Sequence, residues 1–311
     1  MTFTFCGLAF LLVGFVAALL APGASAYTVL KHSDASPAAS RRKVLTTGAS
    51  LLVGGSCVTI LPKAAFSAET VAPSEDNANR QYAVLPATDN GIIEQKNSNN
   101  ELVYVGCGCF WHLQHSVAIY ERDVLGRKGG ALTCQTGYAG GTGGSDSEGR
   151  VCYHNPEKIA DYSKLGHGEV VCVDLPSSEE ERIVDFMTMY FSQFDSETKE
   201  RRDPMDRGPA YRSIIGLSGG SRHPFYSSVL NIATKAGFKL RAGKGSDPDT
   251  LGKQLVYVYD TVDFPFYQAE IYHQFHNDFQ SMPYGSMYNN LANRALDDGR
   301  LHLVGCPDRV Q

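Results

Sequence analysis

Between residues 101 and 285, short apolar, β-favouring runs are interspersed with longer stretches whose apolar positions recur at helical spacing. Strands are predicted at residues 102–105, 131–138, 169–175, 211–217 and 255–259. Helices are predicted at 110–123, 178–194, 224–236 and 266–279, the first from the spacing of Leu113, Val117 and Tyr120. Ser178 followed by Glu179, Glu180 and Glu181 reads as an N-cap with acids in the first turn, where they complement the helix dipole. Strands and helices alternate irregularly and no internal repeat is visible, so the pattern indicates an α+β fold.

The flanks have a different texture. Residues 8–20 form an apolar run too short to span a bilayer comfortably, and Ala24-Ser25-Ala26 follows as an A-x-A cleavage site. Ser40-Arg41-Arg42-Lys43 then precedes a second soft apolar stretch and small residues at 65–68, as in a twin-arginine export signal. The segment between is acid-poor apart from Asp34, like a transit peptide. Residues 1–68 are therefore expected to be a cleaved targeting region directing the protein to a plastid and its thylakoid lumen; the alternative is a single signal peptide and a secreted protein. Residues 69–100 read as a polar linker, 101–285 as the folded domain and 286–311 as a C-terminal tail.

Composition narrows the function classes. With 43% hydrophobic and 20% charged residues the chain is ordinary globular material. A net charge of -5, with no basic stripe interleaved with aromatics, argues against a nucleic-acid partner. Of eight cysteines, six (Cys107, Cys109, Cys134, Cys152, Cys172 and Cys306) lie beyond the targeting region, too sparse for a disulfide-stapled scaffold.

The candidate chemistry begins where the first predicted strand stops, at Gly106-Cys107-Gly108-Cys109. A cysteine at the start of a helix feels unpaired backbone N–H groups and the positive end of the dipole, which favour thiolate, so Cys109 is placed to be nucleophilic. Taken alone, Cys-Gly-Cys also fits a metal half-site or a pair of buried thiols. A metal module using Cys107, Cys109 and His112 lacks a second ligand pair, so no metal is expected.

Gly108-Cys109-Phe110-Trp111 resembles the signature of A-type peptide methionine sulfoxide reductases. Four more blocks of that family follow in order: Gly137-Tyr138-Ala139-Gly140-Gly141; Gly166-His167-Gly168-Glu169-Val170-Val171; Asp206-Arg207-Gly208 with Tyr211-Arg212-Ser213; and Phe266-Tyr267-Gln268-Ala269-Glu270 with Tyr272-His273-Gln274. The resemblance implies a two-layer, ferredoxin-like sandwich with a mixed sheet. It also implies thiol-dependent reduction of methionine S-sulfoxide in oxidised proteins and peptides, a repair activity in oxidative stress. Cys109 would be the nucleophile and pass through a sulfenic acid; Glu169, kept protonated by partial burial, would serve the sulfoxide oxygen. Tyr138 and Tyr211 would reach the same oxygen, Asp206 would support the polar cluster, and Phe110 and Trp111 would wall the substrate methyl. No bound cofactor is implied; an external thiol, thioredoxin-like or dithiothreitol, would supply electrons to a monomer with no membrane insertion after processing. A catalytically silent redox sensor is the competing class.

Three departures from the family pattern bear on substrate preference: His112 stands where glycine is usual, residues 143–165 form a longer, more polar loop, and Pro209-Ala210 replaces Thr-Gln. Pro283-Tyr284-Gly285-Ser286 lacks the cysteine that follows such a segment in many relatives. Cys306 is the first candidate to resolve the sulfenic acid, Cys107 the second, and direct attack by an external thiol the third.

Overall fold

The computed structural model describes residues 99–307, so the targeting region and all but the end of the expected linker lie outside the described residues. Seven strands form one open, mixed sheet: β1 (Asn100–Gly106), β2 (Gln135–Ala139), β3 (Gly168–Pro176), β4 (Ile214–Leu217), β5 (Lys239–Ala242), β6 (Leu255–Asp260) and β7 (Tyr267–Gln268). Their order is β5-β6-β4-β1-β3-β2-β7. β1 pairs antiparallel with β3 and β4, and β2 antiparallel with β3 and β7, while β4, β6 and β5 run parallel. The helices are α1 (Phe110–Asp123), α2 (Glu180–Phe191), α3 (Tyr226–Lys235) and α4 (Ser286–Asp297).

Alternation along the strands sorts side chains onto two faces. Val103, Val105, Val171, Val173, Ile215 and Val258 face a core to which all four helices contribute, among others Leu113, Ile183, Val229 and Ala292. Leu102, Tyr104, Val170, Cys172, Tyr257 and Tyr259 face a smaller cluster closed by Phe264 and Phe266, to which no helix of the described residues contributes. The two-layer α+β expectation therefore holds, with the helices on one side. Arg212, fully buried, ties two other loops to its own, donating to the carbonyls of Gly140 at 2.8 Å and Gly166 at 3.0 Å.

Several expected elements change. The predicted helix at 266–279 is instead β7 followed by a single 3-10 turn, Ile271–His273. Its apolar residues split by strand alternation: Phe266 enters the smaller cluster while Tyr267 and Ala269 enter the larger. Residues 286–297, read as tail, form α4, with Tyr288, Ala292 and Ala295 buried at helical spacing. β5 was not expected, because an edge strand reading Lys-Leu-Arg-Ala carries the charge that protects an unpaired edge rather than an apolar signal. β2 begins only at Gln135: a 3-10 turn occupies Gly129–Ala131, and the Glu121 carboxylate accepts the N–H groups of Thr133 and Cys134. Ser178 is not the cap of α2; Glu179 occupies that position, without a side-chain bond to the helix end.

Candidate active site

The connection from β1 to α1 is made by three residues, Cys107, Gly108 and Cys109. Gly108 takes φ +90°, and a side chain there would run into the Asp206 carboxyl, so only glycine fits. Its N–H donates to the Tyr211 carbonyl at 3.1 Å, and Cys109 follows as the N-cap of α1. A helix start leaves several N–H groups without partners inside the helix. Here distant parts of the chain supply them: Cys109 N–H donates to Asp206 Oδ2 at 2.6 Å and Phe110 N–H to Glu169 Oε2 at 3.1 Å. The Trp111 N–H is directed at the Cys109 sulfur itself.

Cys109, Phe110, Trp111, Glu169, Asp206 and Tyr211 all line one hollow of about 120 Å³, together with His112, Tyr153 and residues of the 202–203 and 278–280 segments. Cys109 is half-buried and is a free thiol. Glu169 is 2% exposed, at the start of β3, and its Oε1 accepts the Tyr162 hydroxyl at 3.0 Å. Trp111 stacks on His276 at 4.1 Å between ring centroids and meets the edge of Phe279 at 5.2 Å.

The electrostatics differ from the simple helix-dipole expectation. Burial pushes the Cys109 thiol well above its ordinary value, a negative charge on Glu169 would raise it further, and the Trp111 N–H pulls it down. Burial likewise lifts Asp206 to about 6, against the pull of the Cys109 N–H. His112, neutral at physiological pH, is lowered to about 4 by burial. Its Nε2, and the Trp111 Nε1, are buried without a hydrogen-bond partner among the described residues.

Two expected assignments are corrected. Tyr138 does not line the hollow: its hydroxyl donates to Glu270 Oε2 at 2.8 Å, and its ring stacks on Tyr162 at 4.6 Å. Register places Tyr138 directly opposite Glu169 across β2 and β3, but Tyr138 is buried in the core and stacked on Tyr162 of the 143–165 loop. That loop supplies the tyrosines missed in the sequence, Tyr153 on the wall and Tyr162 on Glu169. The signal was available as two aromatic residues in an otherwise polar insertion. The second correction concerns Cys306, which forms a disulfide with Cys152 and so offers no free thiol to Cys109. Cys107, the other resolving candidate, is a free thiol, 1% exposed in the core, outside the hollow's lining and pushed by burial up to about 12.

The Cys152–Cys306 bridge borders a second, larger cavity of about 660 Å³ that shares Tyr153 with the first. Glu270 lies there too, its Oε1 accepting the Tyr153 N–H at 2.7 Å. Among the described residues, Cys152, Glu270 and Cys306 are the one grouping with metal-ligand spacing, and their two sulfurs are bonded to each other. Cys107, Cys109 and His112 form no such grouping. No helix of the described residues is long and apolar enough to cross a membrane.

A free thiol at a helix start, a buried carboxyl and an aromatic wall around one small hollow define a thiol-redox site. The family model for peptide methionine sulfoxide reductase matches residues 101–300, and the chain belongs to that family. It is thus an oxidoreductase that reduces methionine sulfoxide. Solved structures similar to it include Mxr1 from Saccharomyces cerevisiae in reduced form, at 21% identity over 58% of this chain and 86% of that one, TM-score 0.34. Methionine sulfoxide reductase A of Corynebacterium diphtheriae is 20% identical over 57% of this chain and 74% of its own, TM-score 0.33. No curated protein sequence matches the chain.

Proposed function

We propose that Cys109 attacks the sulfur of a methionine S-sulfoxide seated in the 120 Å³ hollow, with Glu169 as the proton donor to its oxygen. The sulfoxide S–O bond breaks and an S–O bond to Cys109 forms, so the methionine sulfur is reduced by two electrons and Cys109 becomes a sulfenic acid. Because the thiol is held protonated in the free enzyme, Glu169 gives its proton to the oxygen and receives the one that Cys109 loses. Tyr211 and Tyr153 face the oxygen from the wall, Tyr162 fixes Glu169, and Asp206 acts as a positioning residue through the Cys109 N–H. Phe110 and Trp111 hold the methyl group.

With Cys306 bridged and Cys107 buried, an external thiol of thioredoxin type resolves the sulfenic acid. Two such thiols return Cys109 to the thiol, leaving a disulfide and water. The protein works in a plastid, in the thylakoid lumen, a destination supported by the stacked signals in residues 1–68.

The observation that carries this reading is that Cys109 and Glu169 share one hollow and are both bonded into the first turn of α1. An oxidised methionine peptide with dithiothreitol tests it. Cys109→Ser should abolish turnover, and Glu169→Gln should lower kcat/KM by about a hundred- to ten-thousandfold. Turnover retained in Cys109→Ser would refute the reading.

A further inference from the structure

Three methionines stand in solvent, and two of them, Met205 and Met282, adjoin segments that line the Cys109 hollow. Met205, Met282 and Met287 are 78%, 85% and 88% exposed, whereas Met187 is fully buried. Met205 falls between Asp203 and Asp206, and Met282 follows Gln280 by two residues; Asp203, Asp206 and Gln280 all line the Cys109 hollow. Neither Met205 nor Met282 belongs to a helix or strand, while Met287 is in the first turn of α4. A thioether this open meets dissolved peroxide directly: one oxygen passes to the sulfur, the peroxide O–O bond breaks, and water leaves. Each such event would replace an apolar side chain at the rim of the substrate site with a polar, chiral one.

We infer that Met205 and Met282 are oxidisable sites of this chain and that their sulfoxides are returned to methionine by the Cys109 site of a second copy. The inference rests on the proposed function. Repair must come from another copy because the Met205 loop is itself part of the wall. The Arg201 guanidinium donates to the Asp206 carbonyl at 2.5 Å, Asp206 accepts the Cys109 N–H, and the Met205 N–H donates to Asp203 at 2.8 Å. Folding Met205 back into its own hollow would break the bonds that shape that hollow. A second molecule meets no such restriction, since both residues protrude on irregular backbone. Met287 is a poorer substrate, because presenting it requires the start of α4 to unwind.

The reaction in the acceptor copy is the one already described. The sulfoxide oxygen moves to Cys109, and two thiols of dithiothreitol remove it as water.

The test uses the full chain carrying Cys109→Ser, with Cys109→Ala as a second substrate protein in case the first is poorly folded. Each is treated with hydrogen peroxide, freed of oxidant, and incubated with dithiothreitol and a trace of wild-type enzyme. Peptide mass spectrometry then follows each methionine, and an oxidised methionine peptide is assayed in parallel. Expected are sulfoxide on Met205, Met282 and Met287 but not Met187. About half of the Met205 and Met282 sulfoxide should be lost when wild type is added, because peroxide makes both epimers and one enzyme serves one epimer. Met287 should follow more slowly. Sulfoxide persisting at Met205 and Met282 while the peptide is turned over overturns this inference alone. Equal loss without wild-type enzyme also overturns it. No reduction of the peptide overturns the proposed function and the inference with it.

Discussion

Two sulfur centres share Tyr153 as a common wall, and they are built to opposite ends. In the first, a lone thiol sits at a helix start with a buried carboxyl beside it and nothing sulfur-bearing among the residues lining its hollow. In the second, two sulfurs 154 residues apart in sequence are joined to one another, next to Glu270, bordering a cavity over five times larger. In the proposed cycle the first draws its resolving thiol from outside. The second fastens the chain end to the loop that carries Tyr153. The difference teaches that, in this chain, cysteine count says little about catalysis: what separates a reactive thiol from a fastener is which backbone N–H groups and carboxyls surround it.

The comparison is broken most forcefully by opening the second centre. Cys306→Ser should leave kcat with dithiothreitol unchanged, raise KM because Tyr153 is no longer held, and cost about 2–4 kcal/mol in denaturant unfolding. A collapse of kcat would mean that the bridge is catalytic. A finer cut sets the two tyrosines against each other. Tyr162→Phe frees Glu169 and should lower kcat/KM roughly tenfold. Tyr138→Phe loses only its bond to Glu270 and should cost about 1 kcal/mol of stability with turnover intact.

The smallest effect is electrostatic. Asp206 is raised from its ordinary value of 3.8 to about 6, so the folded chain binds this proton more tightly than the unfolded one. The stability it contributes is complete below about 3.8 and is lost as pH rises through about 6. Asp174, also raised to about 6 by burial, adds a decline of the same sign. Asp206→Asn should therefore flatten, without abolishing, the fall in melting temperature between those pH values.

Much of this was legible in the sequence where local pattern and packing agree. α1 runs over the predicted residues because its apolar spacing and its burial coincide, and all six of the expected catalytic and substrate-binding positions other than Tyr138 meet in one hollow: Cys109, Phe110, Trp111, Glu169, Asp206 and Tyr211. What was hidden depended on long-range register. Tyr138 is adjacent to Glu169 across β2 and β3, yet which hydroxyl reaches the carboxyl is decided by the fold of the 143–165 loop. The Cys152–Cys306 pairing joins that loop to residues following α4, and no spacing rule links them. The 266–279 segment misled because aromatic residues shared between two clusters mimic a helical stripe.

The account turns on a single sulfur accepting oxygen without an internal partner. Wild-type enzyme mixed with an oxidised methionine peptide in the absence of reductant, then trapped with a sulfenic-acid reagent, measures this directly. One methionine released per chain, the trap on Cys109 and the Cys152–Cys306 bridge intact is the predicted result. A new disulfide from Cys109 to Cys107, Cys152 or Cys306, or methionine released with Cys109 untouched, would contradict it.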